Sequence, residues 1–87
     1  MDSVQTTVEL GAEWDGKLVE RLRQAVIYSG GYMMLSSHDL GGSEELISYT
    51  IVLPEGELEA VAESHMGLRL SGPQTLVHKL AQAARQA

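Results

Sequence analysis

Pro54-Glu55-Gly56-Glu57-Leu58-Glu59-Ala60-Val61-Ala62-Glu63-Ser64-His65-Met66-Gly67 decides the fold, because two periods run through this stretch at once. Leu58, Val61, Ala62 and His65 recur at helical spacing. Glu55, Glu57 and Glu59 suit the positive N-terminal end of a helix, and Gly67 supplies a stop. Yet Leu58, Ala60 and Ala62 also line one side of a period of two, and Pro54-Glu55-Gly56 has the composition of a hairpin turn. A helix over residues 55–66 is the preferred reading, with a strand as its alternative.

Upstream, Ile47, Tyr49, Ile51 and Leu53 alternate with Ser48, Thr50 and Val52, the pattern of a strand, and Pro54 ends it for want of an N–H to donate. The turn cluster Asp39-Leu40-Gly41-Gly42-Ser43 separates it from a strand over residues 32–38, with Met33 and Leu35 on one side. Farther back, Leu18, Leu22, Ala25 and Ser29 recur at helical spacing beside Val19 and Val26. Asp15 can cap that helix, and Gly30-Gly31 can stop it. Val4, Thr6, Val8 and Leu10 alternate with Gln5, Thr7 and Glu9 as a strand over residues 3–10. Downstream, residues 68–71 alternate as a short strand. Gly72-Pro73 then opens a last helix with Leu76, Leu80, Ala83, Ala84 and Ala87 on one face.

These elements predict a single α+β domain over residues 1–87, an antiparallel sheet of four to five strands with helices packed on one face. The preferred order is β-α-β-β-α-β-α, a ferredoxin-like split βαβ plus a C-terminal helix, and the alternative is β-α-β-β-β-β-α. Either order leaves one sheet face open. With these registers that face carries Gln5, Thr7, Glu9 and Arg69 together with Tyr32, Met34, Ser36, Ser48, Thr50 and Val52. The last six form a candidate interface for a dimer or a partner.

Charge is unevenly spread along the chain, whose formal net charge is −6. The middle third holds Asp39, Glu44, Glu45, Glu55, Glu57, Glu59 and Glu63 with no Lys or Arg, whereas Arg69, Lys79 and Arg85 follow it without an acid. A field of that sign repels phosphates and steers a basic surface inward, so these seven carboxylates are the candidate partner-binding residues.

Chemistry is sparse. Ser36-Ser37-His38-Asp39 contains the residue types of a hydrolytic triad, but neighbours on a strand point to opposite faces, so no catalytic residue is assigned. His38, His65 and His78 lack metal-ligand spacing, there is no Cys, and neither glycine pair fits a phosphate loop; no metal or cofactor is expected. A single-strand RNA module would need a basic sheet with stacked aromatics, and here the charge has the wrong sign.

No apolar run approaches the ~20 residues of a membrane span, and residues 1–10 lack the pattern of a targeting signal, so the expected setting is the cytoplasm. The reading that follows is a small, acidic, non-enzymatic regulator or inhibitor that engages a basic protein surface, without direct nucleic-acid or membrane binding. The thin core of so short a chain, which contains no Phe, also leaves room for a homodimer. The alternative is a dimeric small-molecule-binding domain or minor enzyme with a pocket at the sheet face, using Tyr32, Ser36, His38 and Tyr49.

Overall fold

The computed structural model describes residues 4–11, 16–41, 44–64 and 67–86. Seven elements follow one another: β1 (Gln5–Gly11), α1 (Gly16–Tyr28), β2 (Tyr32–Gly41), β3 (Glu44–Leu53), β4 (Gly56–Glu63), β5 (Gly67–Pro73) and α2 (Gln74–Gln86). All five strands join one antiparallel sheet in the order β1-β5-β4-β3-β2, so four consecutive strands form a meander and β1 closes its far side.

The α+β class and the antiparallel sheet agree with the sequence reading. The helix over residues 55–66 does not: residues 56–63 are β4, the central strand, and the order is β-α-β-β-β-β-α rather than the split βαβ. Leu58, Ala60 and Ala62 are buried, while Glu57 and Glu59 are exposed on the other side. Glu and Ala are poor strand formers in isolation, but β4 pairs along its length with β3 and for most of it with β5. Those two ladders and the burial of the inward row outweigh local preference.

Smaller differences lie at the ends. Asp39, Leu40 and Gly41 extend β2 instead of turning, and residues 42–43 lie outside the described residues. Pro73 ends β5 instead of starting the helix. Asp15, His65 and Ala87, read respectively as a cap, part of a helical face and part of the last helix's face, lie outside the described residues.

Register assigns each side chain to a face. The inner face carries the rung Val8, Leu70, Ala60, Tyr49 and Leu35, with Leu58, Ile51 and Met33 in a neighbouring rung. Leu22, Ala25 and Val26 of α1 and Leu76, Val77, Leu80, Ala81 and Ala84 of α2 close over this face to form one core. The alanines at 60 and 62 leave room for that helix layer above the centre of the sheet.

Helix α1 stops as the glycine pair implied. Gly30 adopts φ +85°, its N–H donates to the Ile27 carbonyl, and the Gly31 N–H reaches back to the Val26 carbonyl at 3.0 Å. This double closure is a Schellman motif, and it turns the chain directly into β2.

Candidate functional site

The outer sheet face is built from four rungs whose membership follows from the registers. Glu9, Arg69, Val61, Ser48 and Ser37 make one, and Thr7, Ser71, Glu59, Thr50 and Met34 the next. Glu57, Val52 and Tyr32 lie to one side of these, and Glu63, Leu46 and Asp39 to the other. No helix among the described residues packs on this face, and none of its side chains is in the buried core.

Five of the six predicted interface residues, Tyr32, Met34, Ser48, Thr50 and Val52, therefore share this surface. Ser36 sits in a bulge between Leu35 and Ser37 and donates its hydroxyl to the Ser48 carbonyl at 3.1 Å. Between them and β5 lies the row the sequence reading placed on a helix, Glu57, Glu59, Val61 and Glu63. Part of the acidic set thus shares one surface with the sheet-face candidates. The signal that would have joined them was the alternation of Glu57, Glu59 and Glu63 with Leu58, Ala60 and Ala62.

The seven acidic candidates do not all meet there. Glu57, Glu59 and Glu63 lie on the outer face along β4, and Asp39 shares it through its pairing with Leu46. Glu63 is bound by the Arg69 guanidinium in a half-buried ion pair. Glu45 belongs to the opposite face and meets His38 Nε2 at 2.5 Å, while its backbone N–H donates to the Ser64 hydroxyl. Glu55, in the β3–β4 turn, accepts a 2.9 Å hydrogen bond from Lys79 of α2. That bond, aided by its own backbone N–H, holds the Glu55 carboxyl below its ordinary value. The Glu44 side chain lies outside what is described.

Glu57 and Glu59 remain as the two carboxylates aimed outward from the middle of the sheet without an ion-pair partner among the described residues. Two residues apart on one strand, their backbones are separated by roughly 7 Å. Their mutual repulsion is on the order of 0.6 kcal/mol in water's dielectric, which a cation placed between them would relieve. They border a shallow depression of about 340 Å³ whose other lining residues include Gln5, Thr50, Ser71 and Gly72. Beside it the Thr7 and Ser71 hydroxyls hydrogen-bond at 3.0 Å. The hollow thus offers two carboxylates and a ring of neutral oxygens, a donor set suited to an ammonium or guanidinium group.

Positive charge lies in the other layer. Of the six Lys and Arg residues, only Arg69 is on the sheet; Lys17, Arg21 and Arg23 are on α1, and Lys79 and Arg85 on α2. The outer face holds Glu9, Asp39, Glu57, Glu59 and Glu63 against that single arginine.

The four residues of the alternative pocket do not converge. Tyr32 is on the outer face, Tyr49 packs against the core on the inner face, His38 is engaged with Glu45, and Ser36 is held in the bulge. A second groove of about 440 Å³ runs between β1 and α2, lined by Val8, His78, Ala81, Gln82 and Arg85. Among the described residues no three His, Asp or Glu side chains gather as a metal site would require, and no helix is long and apolar enough to cross a membrane.

Comparison of the chain with protein-family models, curated proteins and solved structures gives no significant match.

Proposed function

We propose that this chain is a non-enzymatic interaction module that docks its helix-free sheet face onto a basic segment of a protein partner and regulates that partner by occupying it. The single observation that carries the reading is the division of charge between the two layers: among the described residues, five acids and one arginine on the open face against five cations and one acid, Glu20, on the helices. Glu57 and Glu59 are the centre of the contact, where a lysine or arginine side chain enters the hollow they border. Asp39 and Glu9 extend the negative field, and Tyr32, Met34, Val52 and Val61 add apolar area around it. A cytoplasmic setting and action as an inhibitor belong to the same proposal.

Calorimetric titration with an arginine-rich peptide tests it. Affinity should fall steeply as salt shortens the screening length from ~30 Å at 0.01 M to ~8 Å at 0.15 M. The double variant Glu57→Gln/Glu59→Gln should weaken binding about tenfold, as expected for removing one to two kcal/mol of surface charge interaction. Binding that ignores both salt and the double substitution contradicts the proposal.

A further inference from the structure

Among the described residues, five of the six large apolar side chains left exposed fall within nine consecutive residues. Ile27, Tyr28, Tyr32, Met34 and Leu35 are between 48% and 88% exposed. They span the end of α1, the glycine turn and the first half of β2, a stretch with no charged residue. Strand β2 is also a sheet edge, hydrogen-bonded to β3 on one side only. Over its ten residues it has no Lys, Arg or Pro, the residues that commonly blunt an edge against pairing.

The opposite edge is treated differently. Strand β1 has seven residues, is bulged between Glu9 and Gly11, and has its Glu9 carbonyl engaged by the Arg85 guanidinium at 3.4 Å. Strand β2 is bulged too, at Ser36, but its Tyr32–Leu35 half lies before the bulge and is apolar and exposed, whereas β1 is the shorter strand and has a backbone carbonyl engaged by α2. We infer that the Tyr32–Leu35 half of β2 pairs antiparallel with the same segment of a second copy, joining two sheets into one, with Ile27 and Tyr28 of the two α1 helices meeting beside the new ladder.

A second copy fits better than a foreign strand for reasons of charge and symmetry. Pairing of a strand with itself is self-complementary about a two-fold axis, so the uncharged segment meets an equally uncharged one. The formally charged residue of β2, Asp39, lies beyond the bulge at Ser36. In the pair the two Asp39 carboxylates fall on the order of 35 Å apart at ~3.4 Å per residue, far outside the ~8 Å screening length at physiological salt. A molecule carrying −6 can associate at this edge with little local repulsion. The two-fold axis stands perpendicular to the sheet, so both outer faces point the same way and the acidic surface doubles in extent. The pairing itself rests on the edge and not on that surface.

Sedimentation equilibrium over micromolar to millimolar concentrations reads the association directly. The unmodified chain should dimerise, and Met34→Lys, on an already exposed site, should weaken the dimer at least tenfold with an unchanged circular dichroism spectrum. Because the chain has no Cys, single-cysteine variants give an independent reading: Met34→Cys should form disulfide-linked dimers on mild oxidation, and Gln82→Cys on α2 should not. A monomer at all concentrations overturns the inference. So does a dimer that is indifferent to Met34→Lys, or one that cross-links through Gln82→Cys instead.

Discussion

Gly31 occupies a site with no room for a side chain. A Cβ built there would lie 2.1 Å from the Val52 carbonyl oxygen and 2.7 Å from Leu53 Cδ2, and the first of these neighbours is backbone that cannot swing aside. Gly31→Ala should therefore cost more than ~2 kcal/mol in denaturant unfolding, at the upper end of overpacking effects; a loss below ~0.5 kcal/mol would show that β2 and β3 are not held this close. Glu55 offers a test of a different kind. The hydrogen bond from Lys79 is the main cause of its lowered pKa, with the Glu55 backbone N–H second. A carboxyl whose pKa is lower folded than unfolded adds stability that is complete above the unfolded value, near 4.5, and is lost as pH falls through the folded one. Lys79→Met removes the principal cause, so the Glu55 midpoint followed by carboxyl NMR should rise toward its ordinary value. A midpoint that stays where it was would mean that the ion pair is absent in solution.

Strand β4 is the element on which both fold and surface turn. If its outer and inner rows are as described, Glu57→Thr and Glu59→Thr should change stability by no more than ~0.5 kcal/mol, the usual scale for exposed positions. Ala60→Leu should cost about 1–3 kcal/mol by forcing volume beneath the helices. Equal costs at all three positions, measured by urea denaturation, would refute the alternation. Most of the sheet was legible beforehand because β1, β3 and the start of β5 keep a period of two, and the helix stop was legible because consecutive glycines rarely serve another purpose at the end of a helical stripe. Residues 56–63 were misread because Leu58, Val61 and Ala62 satisfy a helical stripe while Glu and Ala favour a helix locally. What decided otherwise was pairing with β3 and β5, a long-range property that a single stretch of sequence does not display. That one element also hides the candidate surface. With β4 taken as a helix, the acids and the open sheet face are two unrelated surfaces, whereas in the fold Glu59 stands between Ser71 and Thr50, and Glu57 beside Val52, on the outer face of the central strand.

At the scale of the whole molecule, sequence segregation of charge becomes spatial segregation only in part. Glu45 and Glu55 leave the acidic set for His38 and Lys79, and Glu63 is occupied by Arg69. The rest of the asymmetry survives because α1 and α2 carry almost all the cations and both lie on the inner side of the sheet. The molecule is accordingly layered, with a negative sheet surface behind a core of Leu, Ile, Val and Ala and a cation-bearing helix surface in front. Its stability depends on that thin core. Leu70→Ala, at a fully buried inner-face position, should cost about 2–5 kcal/mol, a large share of the 5–15 kcal/mol typical of a whole domain. The functional account depends on the outer layer instead. Amide chemical-shift mapping with an arginine-rich peptide at low ionic strength tests it most directly. Perturbations confined to the outer rungs around Glu57, Glu59, Thr50 and Ser71, and erased by Glu57→Gln/Glu59→Gln, are the predicted result; perturbations centred on α1 or α2, or spread evenly over both layers, would contradict it.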